Sequence, residues 1–322
     1  MAEIGRNITQ ARQFLESGKL VAIPTETVYG LAGNALDENS ILDIFKVKNR
    51  PKFDPLISHT DDLGKVINLV SHIPDIALDL AKEFWPGPLT MLLPKKNHVP
   101  DLLTSGLDRM AIRIPNHPLT RELLSELEFP LAAPSANPFG YVSPTSAQHV
   151  QDQLGDSIPY ILDGGSCDIG IESTIIGFDS DERPIVYRLG GMKLEDIERI
   201  TGRLTIELNK SSNPVAPGQL KTHYAPKKKL FIGDLEFLAK ANQNRNVGVI
   251  AFNKKLNNLA PDNQIVLSKT GDLDEAAKGL FSALRIMDQK NVDLIITEKF
   301  PEFGLGIAIN DRLQRAAVRM QE

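Results

Sequence analysis

The 322-residue sequence predicts two α/β domains, the first with mixed strand pairing and the second with parallel pairing. Three features predict this. The chain is longer than one typical domain. Short apolar runs of strand character alternate with helical patterns along its length. Near residue 205 the texture changes to ELNKSSNPVAPGQLKTHYAPKKK, polar and rich in Pro, Ser, Asn and Lys, which reads as a linker. The expected division is a first domain over 1–205, a linker over 206–228 and a second domain over 229–322.

Taken in order, Asn7 to Ser17 carries a helical pattern stopped by Gly18. LVAIP follows as a short buried strand ended by Pro24. Ser40 to Lys46 is helical, with Ile41, Leu42, Ile44 and Phe45 apolar. PLIS is strand-like, and Asp75 to Phe84 is a helix broken by WPGP. LTMLL, MAIRI, PLAAP and YILD are further short strands. STIIGF and PIVYRL, joined by SDERP, form a hairpin and supply antiparallel content. In the second half KLFIG, VGVIAF, QIVLS and DLIIT are strands, with helices over Leu235–Ala241 and Leu273–Gln289 and a last one over Ile309–Met320. That alternation suggests a small parallel, Rossmann-like sheet. No GxGxxG follows a strand, so dinucleotide binding is not inferred.

Hydrophobic residues make up 42% and charged residues 24%, the range of a soluble globular protein. A net charge of -5 argues against a broad basic face for duplex nucleic acid but leaves a local basic groove open. The single cysteine, Cys167, permits no intramolecular disulfide and fits a reducing cytoplasm; it reads as a small, partly buried residue. No apolar run reaches the ~18 residues of a membrane span, and the polar start has no signal-peptide core. The six histidines are scattered, none at metal-ligand spacing, so no protein-ligated zinc is expected.

Four segments carry residue types suited to chemistry. In PTETVYGLAGNA a strand ends at Pro24 and exposes Thr25, Glu26 and Thr27 before Gly30 and Gly33, which suits a small polar ligand or, equally, a capped helix start. In KVKNRPKFDPL, Lys48 and Arg50 are alternate residues, and an extended backbone would turn both to one side as a polyphosphate clamp; the alternative is a solvated charged turn. PSANPFGYVSPTSAQHV sets Ser135, Asn137, Ser143 and Thr145 on a stiff loop, with Ser143 a candidate helix cap. Arg113 and Arg188 lie within apolar strands and each needs an anionic partner, from protein or ligand. Neither a GxSxG elbow nor a Walker A loop is present.

These segments resemble the L-threonylcarbamoyladenylate synthase family, the YrdC-like enzymes, in its long two-domain form. The motifs are PTETVYGL, KNRP followed by PLI and His59, AIRIP, APSAN, VSPT, ESTI and YRLGG, in the family's order across the first 205 residues. APGQLKTHYAP and GLGIAINDRLQRAA resemble the family's extra domain. The resemblance implies a YrdC-type twisted sheet with a concave basic cavity, followed by the Rossmann-like domain. It implies a reaction of L-threonine, bicarbonate and ATP giving threonylcarbamoyl-AMP and pyrophosphate. The product would feed tRNA modification through a downstream tRNA threonylcarbamoyl transferase, with room for weak tRNA contact. A non-catalytic RNA-binding protein using the same cavity is the alternative.

Carried over by motif, Lys48 and Arg50 are the catalytic candidates and, with Lys52, the holders of the triphosphate. Thr25, His59, Arg113 and Ser173 are assigned to L-threonine, with Arg113 on its carboxylate. Ser135, Asn137, Ser143 and Arg188 are assigned to the nucleotide, and His223 and Tyr224 to a lid. His59 is the general-base candidate by residue type. Mg2+ is expected on the ATP phosphates, since no acidic cage is evident. Asp54 stands where the family often has Asn, and Arg109 where it often has Thr. Asp54 would weaken triphosphate binding or help hold Mg2+, and Arg109 receives no role.

Overall fold

The structure, a computed structural model, describes residues 1–208, 216–218, 224–257 and 259–317. Among these, the first sheet has β1 (Glu3–Gly5), β2 (Val21–Ile23), β3 (Gly30–Asn34), β4 (Ile57–His59), β5 (Leu89–Pro94), β6 (Arg109–Arg113), β7 (Leu131–Ala132), β8 (Tyr160–Leu162), β9 (Thr174–Phe178), β10 (Pro184–Arg188) and β11 (Thr205–Ile206). Their order is β1-β8-β2-β3-β7-β4-β6-β5-β9-β10-β11, with mixed pairing. The expected hairpin is β9–β10, antiparallel, with a register shift between Val186 and Arg188.

Local chemistry accounts for the helices. Asn7 caps Ile8–Glu16 by accepting the Gln10 N–H, and Asp37 caps Glu38–Lys48 by accepting those of Asn39 and Ser40. Glu38–Lys48 buries Ile41, Ile44 and Phe45 along one face. The helix Asp75–Phe84 has the bounds that its apolar spacing predicts. β3 was harder to see, because GLAGN does not alternate. Its glycines are there for close approach: a Cβ on Gly30 would meet Ala133 Cβ at 3.0 Å, and one on Gly33 would meet Leu20 Cδ2 at 2.8 Å.

The second sheet holds β12 (Lys229–Ile232), β13 (Val247–Ala251), β14 (Gln264–Val266) and β15 (Leu294–Thr297), all parallel, in the order β12-β15-β13-β14. Helices Leu235–Ala241 and Leu273–Gln289 fall where expected, and the last helix runs over Gly306–Ala317. This domain packs on the loop before Ala147–Leu154. Arg285 donates to the Ser143 carbonyl (3.2 Å) and to Gln153 Oε1 (2.9 Å), and the Tyr141 hydroxyl donates to Asp288 Oδ2 (2.6 Å). One apolar core spans both domains, from Leu31 and Ile112 to Phe281 and Leu313.

Candidate functional site

Strand direction gathers the site at one end of the first sheet. β4 and β6 are parallel with His59 opposite Arg113, so both side chains emerge at the same strand ends. β5 runs against β6, and β9 runs with β5, which brings the start of β9, at Ser173, to that same end. β10 returns there to deliver Arg188. The loop after β2 adds Thr25 and Thr27, and Gly30 pairs across to Ser135. Together they line a half-open cavity of about 50 Å³ with Arg50, Glu172, Pro217, Gly218 and Tyr224.

Arg113 has its carboxylate within the chain. Nη2 lies 2.6 Å from Glu26 Oε1 as a buried ion pair, Nη1 donates to Thr27 Oγ1 (2.9 Å) and Nε to the Gly87 carbonyl (2.9 Å). Thr25 ties its own turn, donating to the Val28 carbonyl (2.6 Å) and accepting from the Thr27 and Val28 N–H groups. A ligand carboxylate at Arg113 would share a guanidinium that Glu26 already pairs with.

His59 is buried, and its Nδ1 has no hydrogen-bond partner. Burial, and then the Arg113 charge, pull its pKa from 6.5 down to about 3. A base so weak is poorly matched to deprotonating an amine near neutrality, which counts against His59 in that role. Its effect on stability has a definite sign. The unfolded chain binds a proton near pH 6.5 and the folded chain only near 3, so stability is full above 6.5 and is lost as pH falls toward 3. Urea unfolding should show a loss of about 2 kcal/mol between pH 7 and pH 5 from this group. His149, pulled down to about 4 mainly by burial, acts in the same direction. His59→Gln should flatten the slope; an unchanged slope would contradict this assignment.

The basic turn is not extended. Lys48 ends the helix Glu38–Lys48, and Asn49 caps it in the left-handed region at φ 52°. Lys48 is buried and absent from the cavity wall. Its Nζ donates to the carbonyls of Ser135 and Asn137, and burial, then the Arg50 charge, lower its pKa well below the usual lysine value. It shapes the Ser135–Asn137 loop from behind. Lys52 is exposed and away from the cavity. Arg50 does line the cavity. Its Nη2 pairs with Asp54 Oδ2 (2.9 Å) and donates to the Pro55 carbonyl (2.9 Å), while Nε donates to the Asp54 carbonyl (3.1 Å). Asp54 is fully buried, and its Oδ1 accepts the Gly218 N–H (3.3 Å). Asp54 thus neutralises Arg50 and holds Gly218 at the cavity wall.

The loop candidates divide. Ser135 faces the cavity. Asn137 is buried, with Nδ2 on the Pro138 and Tyr141 carbonyls (2.9 Å each), so it braces a turn; its Oδ1 has no hydrogen-bond partner. Ser143 donates to Glu172 Oε1 (2.5 Å) and does not cap the next helix, whose cap is Ser146. Ser173 and Arg188 act as one unit: Nη2 of Arg188 donates to both the hydroxyl and the carbonyl of Ser173 (2.9 Å each). Burial pulls Arg188 down to about 10, still charged at neutral pH. Arg188 Nη1 also donates to the Pro217 carbonyl (3.3 Å). Arg109, off this cavity, donates to the Phe178 carbonyl (2.7 Å).

Of the two residues assigned to a lid, Tyr224 lines the cavity, and His223 lies outside the described residues. Sequence reasoning gave no role to Glu172, Asp311, Arg312, Arg315 or Gly218. The visible signal was two arginines three apart, Arg312 and Arg315, on the mostly apolar face of the last helix.

A family model described as "Telomere recombination" (Sua5, YciO, YrdC) matches residues 13–190, and a second, "Threonylcarbamoyl-AMP synthase, C-terminal domain", matches 192–318. The threonylcarbamoyl-AMP synthase of Pyrococcus abyssi is 42% identical over 95% of this chain and 93% of its own. That of Bacillus subtilis is 40% identical over 96% and 92%. The solved structure of Pyrococcus abyssi Sua5 complexed with L-threonine superposes with a TM-score of 0.91 at 40% identity, covering 99% of this chain and 98% of that one. The chain belongs to the Sua5–YciO–YrdC family and carries its threonylcarbamoyl-AMP synthase C-terminal domain.

Proposed function

We propose that this chain condenses L-threonine, bicarbonate and ATP into L-threonylcarbamoyl-AMP and pyrophosphate, the first step toward N6-threonylcarbamoyladenosine in tRNA. The observation that carries the reading is the cavity, with Arg50, Arg113 and Arg188 beside buried hydroxyls, in a chain whose relatives are named for this product. L-threonine in the Pyrococcus abyssi structure supports the amino acid as occupant.

In this reading Thr25, His59, Arg113 and Ser173 surround threonine, with Arg113 held in place by Glu26. The ammonium of threonine and bicarbonate give the N-carbamate, water and one proton. That proton leaves to solvent, because His59 holds one only in strong acid. A carbamate oxygen then attacks the α-phosphate; the bond to the bridging oxygen of the β-phosphate breaks, and pyrophosphate leaves with the electron pair. Arg50 and Arg188, with Ser135, would neutralise and orient the phosphates, and Lys48 and Asn137 would hold the loop that carries Ser135. Exclusion of water from the cavity would protect the carbamate.

Among the described residues no three His, Cys, Asp or Glu side chains gather into a metal site, and Glu26, Asp54 and Glu172 each face an arginine. Mg2+ would arrive on the triphosphate and supply charge neutralisation there. A tRNA threonylcarbamoyl transferase would consume the adenylate in the cytoplasm. With labelled bicarbonate, the label should appear in an adenylate that also contains threonine. An adenylate free of label would contradict the reading.

A further inference from the structure

Two buried cations, one from each domain, pin the loop that carries Ser135, Asn137 and Ser143. Lys48 of the first domain holds its start, donating through Nζ to the Ser135 and Asn137 carbonyls. Arg285 of the second domain holds its end, reaching over from the helix Leu273–Gln289. Its Nε donates to the Ser143 carbonyl (3.2 Å), and its Nη2 donates to the Val142 carbonyl and to Gln153 Oε1 (2.9 Å). Nη1 lies 3.5 Å from the His149 carbonyl. All of these acceptors are neutral, and all belong to the first domain. The guanidinium carbon also sits 5.2 Å from the centre of the Tyr141 ring, whose hydroxyl donates to Asp288 on the same helix. Between the two pins, Asn137 Nδ2 joins the Pro138 and Tyr141 carbonyls. Beyond the second pin, the Ser143 hydroxyl reaches Glu172 Oε1 on the cavity wall (2.5 Å).

We propose that Arg285 is a positioning residue for the nucleotide: by fixing the Val142 and Ser143 carbonyls, the second domain sets the loop against which ATP binds. Three observations carry the inference. Arg285 is buried, yet its hydrogen bonds go to neutral acceptors. Such a cation is costly to hold, and an interface that needed only adhesion would be served as well by apolar packing. Its planar fork takes two successive carbonyls, which fixes the peptide plane between Val142 and Ser143 and so the direction of the Ser143 side chain. Lys48 grips the other end of the loop in the same way, so Ser135 and Ser143 are held in one geometry by two cations that do not touch each other's acceptors. The second domain thus acts on the site through the main chain of the first, without reaching the ligand. The inference rests on the synthase reading in taking this loop as the nucleotide's.

The test is steady-state kinetics on the full chain, with ATP and L-threonine varied in turn, beside ATP binding by calorimetry. Arg285→Met should raise KM for ATP about tenfold, the effect of losing a charged hydrogen bond, and leave KM for threonine within about twofold. Arg285→Lys keeps the cation but loses the fork, so its KM for ATP should rise only about threefold. Tyr141→Phe removes the bond to Asp288 alone and should raise KM for ATP about threefold; it carries the test if Arg285→Met fails to fold. Ser143→Ala should show the same ATP-only effect and add little to that of Arg285→Met, because both act through one hydroxyl. Lys193→Ala breaks the exposed pair with Asp274 between the same two domains and should leave both constants at the parent values. A merely structural role for Arg285 predicts parallel losses for both substrates and additivity with Ser143→Ala. Either result, or an unchanged KM for ATP in folded Arg285→Met or Tyr141→Phe, would overturn the proposal. Weaker ATP binding in Arg285→Met, in a protein whose pyrophosphate release ignores threonine, would overturn the synthase reading and leave the role of Arg285 standing.

Discussion

Replacing Arg113 with alanine should abolish threonine-dependent turnover and lower folding stability by about 3–5 kcal/mol. Both effects follow from one contact. Arg113 and Glu26 are buried together, and removing the guanidinium leaves a carboxylate with no water to solvate it. Thr27 and the Gly87 carbonyl lose their donors as well. The stability loss can be separated from the activity loss with Arg113→Lys and Glu26→Gln. Lysine keeps the charge but loses the fork, so it should recover much of the stability and little of the affinity for threonine. Glu26→Gln removes the neutralising charge and should cost less stability than Arg113→Ala. Urea unfolding and steady-state kinetics on the three variants check this. Full activity in Arg113→Ala would remove Arg113 from the site.

Arg50→Ala should reduce kcat/KM by about 100-fold or more, a loss in the range assigned to a preorganised charge acting on a transition state. Stability should fall too, because Asp54 is fully buried and would be left without its partner. Asp54→Asn, which removes the charge but keeps the shape, should cost less on its own and should rescue stability but not turnover when combined with Arg50→Ala. A double-mutant cycle reads this coupling directly. Additive stability changes would show that the pair is not coupled, and near-normal turnover in Arg50→Ala would remove it from the phosphates. Reading KVKNRPKFDPL as a surface clamp predicts activity loss without stability loss; burial of Lys48, Arg50 and Asp54 reverses the second half of that expectation.

Legibility in the sequence followed the range of the interaction. The helix Asp75–Phe84 and the parallel strands of the second domain were readable because their signals are local: apolar period, flanking Pro or Gly, β-branched runs. β3 was not, since glycines required by Ala133 and Leu20 replaced the usual alternation. Most cavity residues were found by motif order, but their partners were not. Glu26 meets Arg113 across 87 positions and Glu172 meets Arg312 across 140; nothing in local composition encodes either distance in space. Lys48 stands off the cavity wall in this structure because of a single conformational fact. The helix runs to its own position, so Lys48 and Arg50 lie on either side of a left-handed cap and not along one strand. Asp54 became intelligible only through Gly218, a contact spanning 164 positions.

The most direct test of the account is pyrophosphate release from ATP by the full chain, measured with both L-threonine and bicarbonate, with each alone, and with neither. The account predicts release only when both are present, and none above background when either is left out. Release that ignores both substrates, or none at all from well-folded protein, would contradict it.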